Sequence, residues 1–101
     1  KGLLTAQVPN GWRTIALDEH GESLTSKQFA GRVGQWRRDN CPGLAFLVGA
    51  ADGLDRTDLA QATDRLRLST FTLPHQLCFV LLAEQIYRAT GINRGDSYHR
   101  E

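Results

Sequence analysis

The segment Leu66–Ile92, LRLSTFTLPHQLCFVLLAEQIYRATGI, carries a strand pattern followed at once by a long helix pattern. Leu66-Arg67-Leu68-Ser69 alternates apolar and polar residues, which predicts a short strand. Thr72 stands at the N-cap position of the next element, with Pro74 in a first turn where a missing N–H is tolerated. The pattern predicts a helix to about Thr90, stopped by Gly91 in a left-handed conformation. On a helical wheel it has two stripes: His75, Phe79, Leu82 and Ile86 on one side, Leu77, Leu81, Glu84 and Arg88 on the other. A helix apolar on two sides needs two covers. In a small chain these are its own sheet and a second copy of the protein. His75 and Arg88 then stand where water is scarce, a first hint of a site.

Upstream, Trp12–Leu17 (WRTIAL) reads as a strand and Asp18–Glu22 as the turn after it. Thr25 and Gln28 form a capping box, and Phe29, Val33 and Trp36 recur behind it at helical spacing. That helix is expected to end near Arg37–Asn40, before the break at Cys41-Pro42-Gly43. Leu44–Val48 (LAFLV) is an unbroken apolar run, the mark of a central parallel strand covered on both faces. A turn of small residues at 49–53 and a short helix near 57–62 lead into the segment quoted first. Lys1–Asn10 fits the tail of a helix, and Asn93–Glu101 a polar, mobile end. Strands alternating with helices predict a single α/β domain over residues 1–101 with a mostly parallel sheet.

Composition narrows the function. The chain has 101 residues, 41% hydrophobic and 23% charged, which is ordinary for a folded domain. A net charge of +1 excludes a strong non-specific nucleic-acid binder, so RNA recognition would rest on a few placed arginines. Cys41 and Cys78 form neither a metal spacing nor a disulfide framework and fit a reducing cytoplasm. No membrane span or signal peptide is visible, and the scattered histidines predict no metal site. The start at Lys1, without methionine, leads to the expectation that an N-terminal part is missing.

In parallel sheets ligands sit beyond the carboxyl ends of the strands. The loops after Leu17, from Gly49 to Gly53 and from Ser69 to Leu73 are therefore the candidates. The last opens a helix whose N–H groups favour an anion, and Gly49 removes a side chain where a flat ring could approach. Each also has a plain structural reading, as an ordinary turn or helix start. Glu84 and Arg88, spaced i, i+4, make an ordinary helix-stabilising pair. The residues themselves support a small α/β protein with a ligand groove and a self-association face.

Taken together, Leu44–Leu54 (LAFLVGAADGL), Leu68–Arg88 (LSTFTLPHQLCFVLLAEQIYR) and Tyr98-His99-Arg100-Glu101 closely resemble the RlmH family. Its members are bacterial SPOUT-class methyltransferases acting on a pseudouridine of 23S ribosomal RNA in assembled ribosomes. Leu17-Asp18-Glu19 and Thr25-Ser26 with Phe29-Ala30 fit the same pattern, so the resemblance runs from about Trp12 to the end. It implies an α/β sheet with a C-terminal trefoil knot, a homodimer, and S-adenosylmethionine held by the knot loops. By resemblance the cofactor contacts fall on Leu17, Gly49, Leu68, Ser69, Thr70, Phe71, Thr72 and Leu73. The tail resembles a segment that completes the active site across the dimer. The implied reaction is transfer of a methyl group to N3 of pseudouridine. His75 or His99 would then assist proton removal, Arg88 and Arg100 would hold the developing anion or flanking phosphates, and Tyr98 would stack on the base. The chain departs from the family at Ala50, where a glycine is usual, and at Phe79, where an arginine is usual. The family's opening strands also have no counterpart, which leaves a second reading: a truncated relative that binds cofactor or ribosome without methylating.

Overall fold

The computed structural model describes residues 4–49, 53–69 and 73–95, apart from the side chain of His75. A short 3-10 turn at Thr5–Gln7 precedes β1 (Arg13–Ser23), α1 (Ser26–Arg38), β2 (Leu44–Leu47), α2 (Arg56–Gln61), β3 (Asp64–Arg67) and α3 (His75–Arg94). The strands form one three-stranded sheet in the order β2-β1-β3. Both pairings are parallel, as the alternation of strands and helices predicts. Whether the chain is knotted turns on the path through residues 50–52 and 70–72, which lie outside the described residues.

The central strand is β1, not the apolar run at Leu44–Val48. Thr14, Ile15 and Ala16 are buried consecutively, so both faces of β1 are covered at its middle. β2 pairs on one side with β1 and is otherwise half-buried except at Leu47. Hydropathy alone could not separate these strands, because an apolar run shows a need for cover but not which neighbour supplies it. Ile15, fully buried, anchors a core with Phe29, Ala30, Trp36, Leu66 and Ala89. Burying such a side chain contributes about 1.5–3 kcal/mol. Phe29 also meets Phe46 with ring centroids 6.3 Å apart, joining α1 to β2. Arg13 Nε donates to Asp64 Oδ2 at 2.6 Å, and its guanidinium lies 5.3 Å from the Trp36 ring centroid, tying the start of β1 to β3 and α1.

β1 continues through the predicted turn at Asp18–Glu22 to Ser23. It does so irregularly: Leu17 and Glu22 both pair with Leu66, so the residues between them form a wide bulge. Gly21 permits this, since a Cβ there would stand 2.7 Å from the Leu66 nitrogen and 2.8 Å from the Arg65 carbonyl carbon. Beyond the bulge, Arg32 donates to both Glu22 carboxylate oxygens at 2.9 and 3.0 Å. That hydrogen bonding holds the Glu22 carboxyl below the usual glutamate range.

α1 starts as its capping box predicts. Gln28 N–H donates to Thr25 Oγ1 at 3.0 Å, and Thr25 N–H donates to Gln28 Oε1 at 2.9 Å. β3 begins and ends two residues earlier than predicted, burying Leu66 and leaving Leu68 past its end. The N-cap of α3 is Pro74, while Thr72, the predicted cap, lies outside the described residues. The helix also passes through Gly91 and stops at Gly95, whose φ of 83° is left-handed. Gly91 is buried, and Asn93 Nδ2 donates to the Ala30 carbonyl at 3.1 Å, so packing on α1 carries the helix past its expected stop.

Candidate functional site

β2 and β3 end at one end of the sheet; β1 does not end there, as the loop predicted after Leu17 requires, but bulges and pairs again at Glu22 and Ser23. Ala16 stands opposite Leu47, and Leu17 opposite Leu66. The chain therefore leaves the ladders at the bulge that follows Leu17, just before Gly49 and just before Leu68, three outlets that neighbouring strand spacings place within about 10 Å. Leu17, Gly49, Leu68 and Ser69 are all half-buried there. Main-chain amides and carbonyls inside a ladder are committed to it; those at the outlets can turn toward a ligand. This edge is the candidate site.

Gly49 is in close contact, though with the chain itself. A Cβ on it would lie 2.4 Å from the Gly53 carbonyl carbon and 2.5 Å from the Leu54 nitrogen. The turn after β2 therefore folds its far end back against its start. Gly53, with φ of 84°, supplies the left-handed residue that this needs. On the next outlet, Arg67 Nε donates to the Ser69 carbonyl at 3.1 Å and fixes the first step of the chain beyond β3. Neither Arg67 nor the Glu22–Arg32 pair beside the bulge stood out in the sequence, where both look like ordinary surface charges. The alternation that points Arg67 away from Leu66 was the one signal available for it.

Leu73 is half-buried just before α3, and His75 is the first residue of that helix. Thr70, Phe71, Thr72, Tyr98, His99 and Arg100 lie outside the described residues. Arg88 is on α3, 13 residues beyond His75 and so about 20 Å further along the axis. Its Nε donates to Glu84 Oε2 at 2.8 Å, the i, i+4 pair expected from spacing. Within one chain His75 and Arg88 are not brought together.

The long helix also divides differently from the two predicted stripes. Ser26 Oγ donates to Gln85 Oε1 at 2.6 Å, and Asn93 reaches Ala30, so α3 runs parallel to α1 from about Gln85 onward. Its first turns extend past the start of α1. Leu82 and Ala89 face the core, while Leu77, Phe79, Val80, Ile86 and Tyr87 are 39–62% exposed. Phe79 and Ile86 thus separate from Leu82, with which the wheel grouped them. The expected need for a second cover concerns this outer face.

A shallow groove of about 220 Å³ lies at the opposite end of the sheet, between Thr5, Pro9, Trp12, Thr14 and Gln61. None of the predicted site residues lines it. Among the described residues no group of three or more His, Cys, Asp or Glu is placed to hold a metal ion. No described helix is long and apolar enough to cross a membrane.

A family model described as a predicted SPOUT methyltransferase matches residues 1–99. A ribosomal RNA large subunit methyltransferase H from Janthinobacterium sp. (strain Marseille) is 48% identical over 100 residues, covering 99% of this chain and 64% of the relative. The protein of that name from Leptothrix cholodnii is 46% identical over 101 residues, covering 100% and 64%. That from Dinoroseobacter shibae is 48% identical over 98 residues, covering 97% and 63%. The chain thus spans a little under two thirds of the length of these relatives.

Proposed function

The chain belongs to the SPOUT methyltransferase family, and from that premise we propose that it is an S-adenosylmethionine-dependent methyltransferase of large-subunit ribosomal RNA. The observation that carries this reading is near-complete coverage of the chain, at 46–48% identity, by proteins named ribosomal RNA large subunit methyltransferase H. The convergence of three strand outlets at one edge supports it. The acceptor in this reading is N3 of a pseudouridine.

Two observations support a place for the cofactor at this end of the sheet. Gly49 lets the turn after β2 fold closely on itself, and the outlets at Leu17 and Leu68–Ser69 stand beside it. Leu17, Gly49 and Leu68 to Leu73 would hold S-adenosylmethionine largely through main-chain groups. When bound, that cofactor supplies an electrophilic methyl group.

N3 of pseudouridine carries an imide proton and becomes a good nucleophile only as that proton leaves. His75 or His99 serves as the base in this proposal, because imidazole titrates near neutral pH. Arg88 and Arg100 stabilise the developing imide anion or hold flanking phosphates, and Tyr98 stacks on the target base. Arg88 stands about 20 Å along the helix from His75. A joint role for them therefore uses Arg88 from one chain and His75 from another. The uncovered face of α3 supplies the means: Leu77, Phe79, Val80, Ile86 and Tyr87 pack against a second copy in a two-fold dimer.

The second reading is a relative that binds S-adenosylmethionine without methylating. Titration calorimetry with S-adenosylmethionine, run beside a transfer assay on ribosomal subunits, separates the two. Binding with transfer supports the enzyme, binding without transfer the second reading, and no binding removes both.

A further inference from the structure

The first described residues of the chain hold α2 in place. Leu4 N–H lies 3.2 Å from each carboxylate oxygen of Asp58. Thr5 N–H donates to Asp58 Oδ1 at 3.0 Å. The Thr5 hydroxyl sits 3.0 Å from the same oxygen and 2.6 Å from Gln61 Oε1, able to donate to one at a time. Asp58 is 1% exposed, and its carboxyl is held below the usual aspartate range, chiefly by the Thr5 N–H. A buried carboxylate is tolerated because its oxygens receive this set of donors.

Among the described residues of α2, which is six residues long, Asp58 is the buried anchor. A helix this short is not stable by itself. Its N-cap, Asp55, makes no side-chain capping bond. Further ties lie toward its far end, where Arg65 donates to the Leu59 carbonyl at 3.3 Å and Thr63 N–H to the Thr14 carbonyl at 2.8 Å. Immediately before α2 come Gly53 and Leu54, the residues whose backbone closes on Gly49. Leu4–Thr5, Asp58, α2, Gly53–Leu54 and Gly49 thus form one mechanical sequence.

We infer that Asp58 is a positioning residue: by gripping Leu4 and Thr5 it sets α2, and through α2 the closure of Gly53–Leu54 on the Gly49 outlet. Leu4 and Thr5 act through Asp58 as a strap on the Gly49 outlet. The functional consequence rests on the cofactor reading given above; the mechanical coupling does not.

The test compares Asp58→Asn, which removes the charge but keeps one acceptor, with Thr5→Val, which removes only the hydroxyl. Amide chemical shifts and hydrogen exchange of the unliganded chain are read first. The expected result in Asp58→Asn is displaced resonances at Gly49, Gly53 and Leu54 and exchange about tenfold faster at Leu59 and Ala62, the loss of roughly one charge-assisted hydrogen bond. Ile15 and Ala30 amides stay unchanged, which separates lost positioning from general destabilisation. Thr5→Val moves the same amides less, and it decides the matter if Asp58→Asn does not fold. The coupling is overturned if Leu4 and Thr5 respond while Gly49, Gly53 and Leu54 keep their shifts. S-adenosylmethionine affinity, measured next, should weaken about tenfold in Asp58→Asn. If the unsubstituted chain binds no cofactor the functional proposal fails, and the shifts still decide the strap.

Discussion

Replacing Gly49 with alanine adds one methyl group at the candidate cofactor outlet. That Cβ would stand 2.4 Å from the Gly53 carbonyl carbon, 2.5 Å from the Leu54 nitrogen and 2.7 Å from the Gly53 oxygen. Ordinary heavy-atom contacts lie at about 3.5–4.0 Å, so Gly53–Leu54 or Gly49 must retreat by roughly 1 Å. All three obstructing atoms are backbone, so no side-chain rotation relieves the clash. Overpacking of this kind costs about 1–3 kcal/mol, and in a domain this size each kcal/mol lowers Tm by about 4–8 °C. The effect on the site is larger in proportion, because a 1 Å displacement of a positioning group costs up to about a hundredfold. We expect Gly49→Ala to lower Tm by several degrees and weaken S-adenosylmethionine binding by tenfold or more, measured by thermal unfolding and calorimetry. A variant with Tm within about a degree and Kd within about twofold of the unsubstituted chain would refute the argument.

Gly31 provides the opposite case: it lies within α1 with nothing beyond the local helix backbone within 4 Å of an added Cβ, so Gly31→Ala should stabilise by about 0.5–1 kcal/mol in denaturant unfolding. A loss of stability would show that α1 is not helical there. The Glu22 carboxyl, lowered by its bond to Arg32, contributes stability above the ordinary glutamate pKa that is lost as pH falls through the lowered value. The Tm difference between the chain and Glu22→Gln should therefore be constant near neutrality and shrink below about pH 4.3; a difference that does not change with pH would contradict the pairing. Phe79→Glu places a charge on the outer face of α3, where Phe79 is 54% exposed. It should leave the fold intact and convert the proposed dimer to monomer in sedimentation experiments, and an unchanged oligomeric state would remove this face as the interface.

What could be read from the sequence was local. The Thr25–Gln28 box marks the start of α1 because both partners lie within one turn, and the strand at Trp12–Leu17 shows in its β-forming residues. What escaped depended on distant parts of the chain. β1 runs on to Ser23 because Gly21 lets it approach the backbone of β3, more than 40 residues later. Gly91 looked like a stop for α3, but it is buried within the helix and Gly95 does that work. The wheel grouped Phe79, Leu82 and Ile86 without knowing that α3 extends past its neighbour. Asp58 was invisible because its donors lie 53 and 54 residues away. Gly49, Leu68 and Ser69 gather at one end of the sheet because parallel strands deliver their ends together, which a coarse strand pattern already implies; Leu17 joins them through the bulge, which that pattern does not imply. The proposed chemical roles of His75, Tyr98, His99 and Arg100 came from resemblance.

The central claim is methyl transfer to ribosomal RNA. Labelled S-adenosylmethionine should be incubated with the chain and ribosomes lacking the modification, beside a full-length relative as a positive control, and the label mapped in the RNA. The account predicts incorporation at N3 of a pseudouridine in large-subunit RNA. No incorporation by this chain, with the control active, would contradict it.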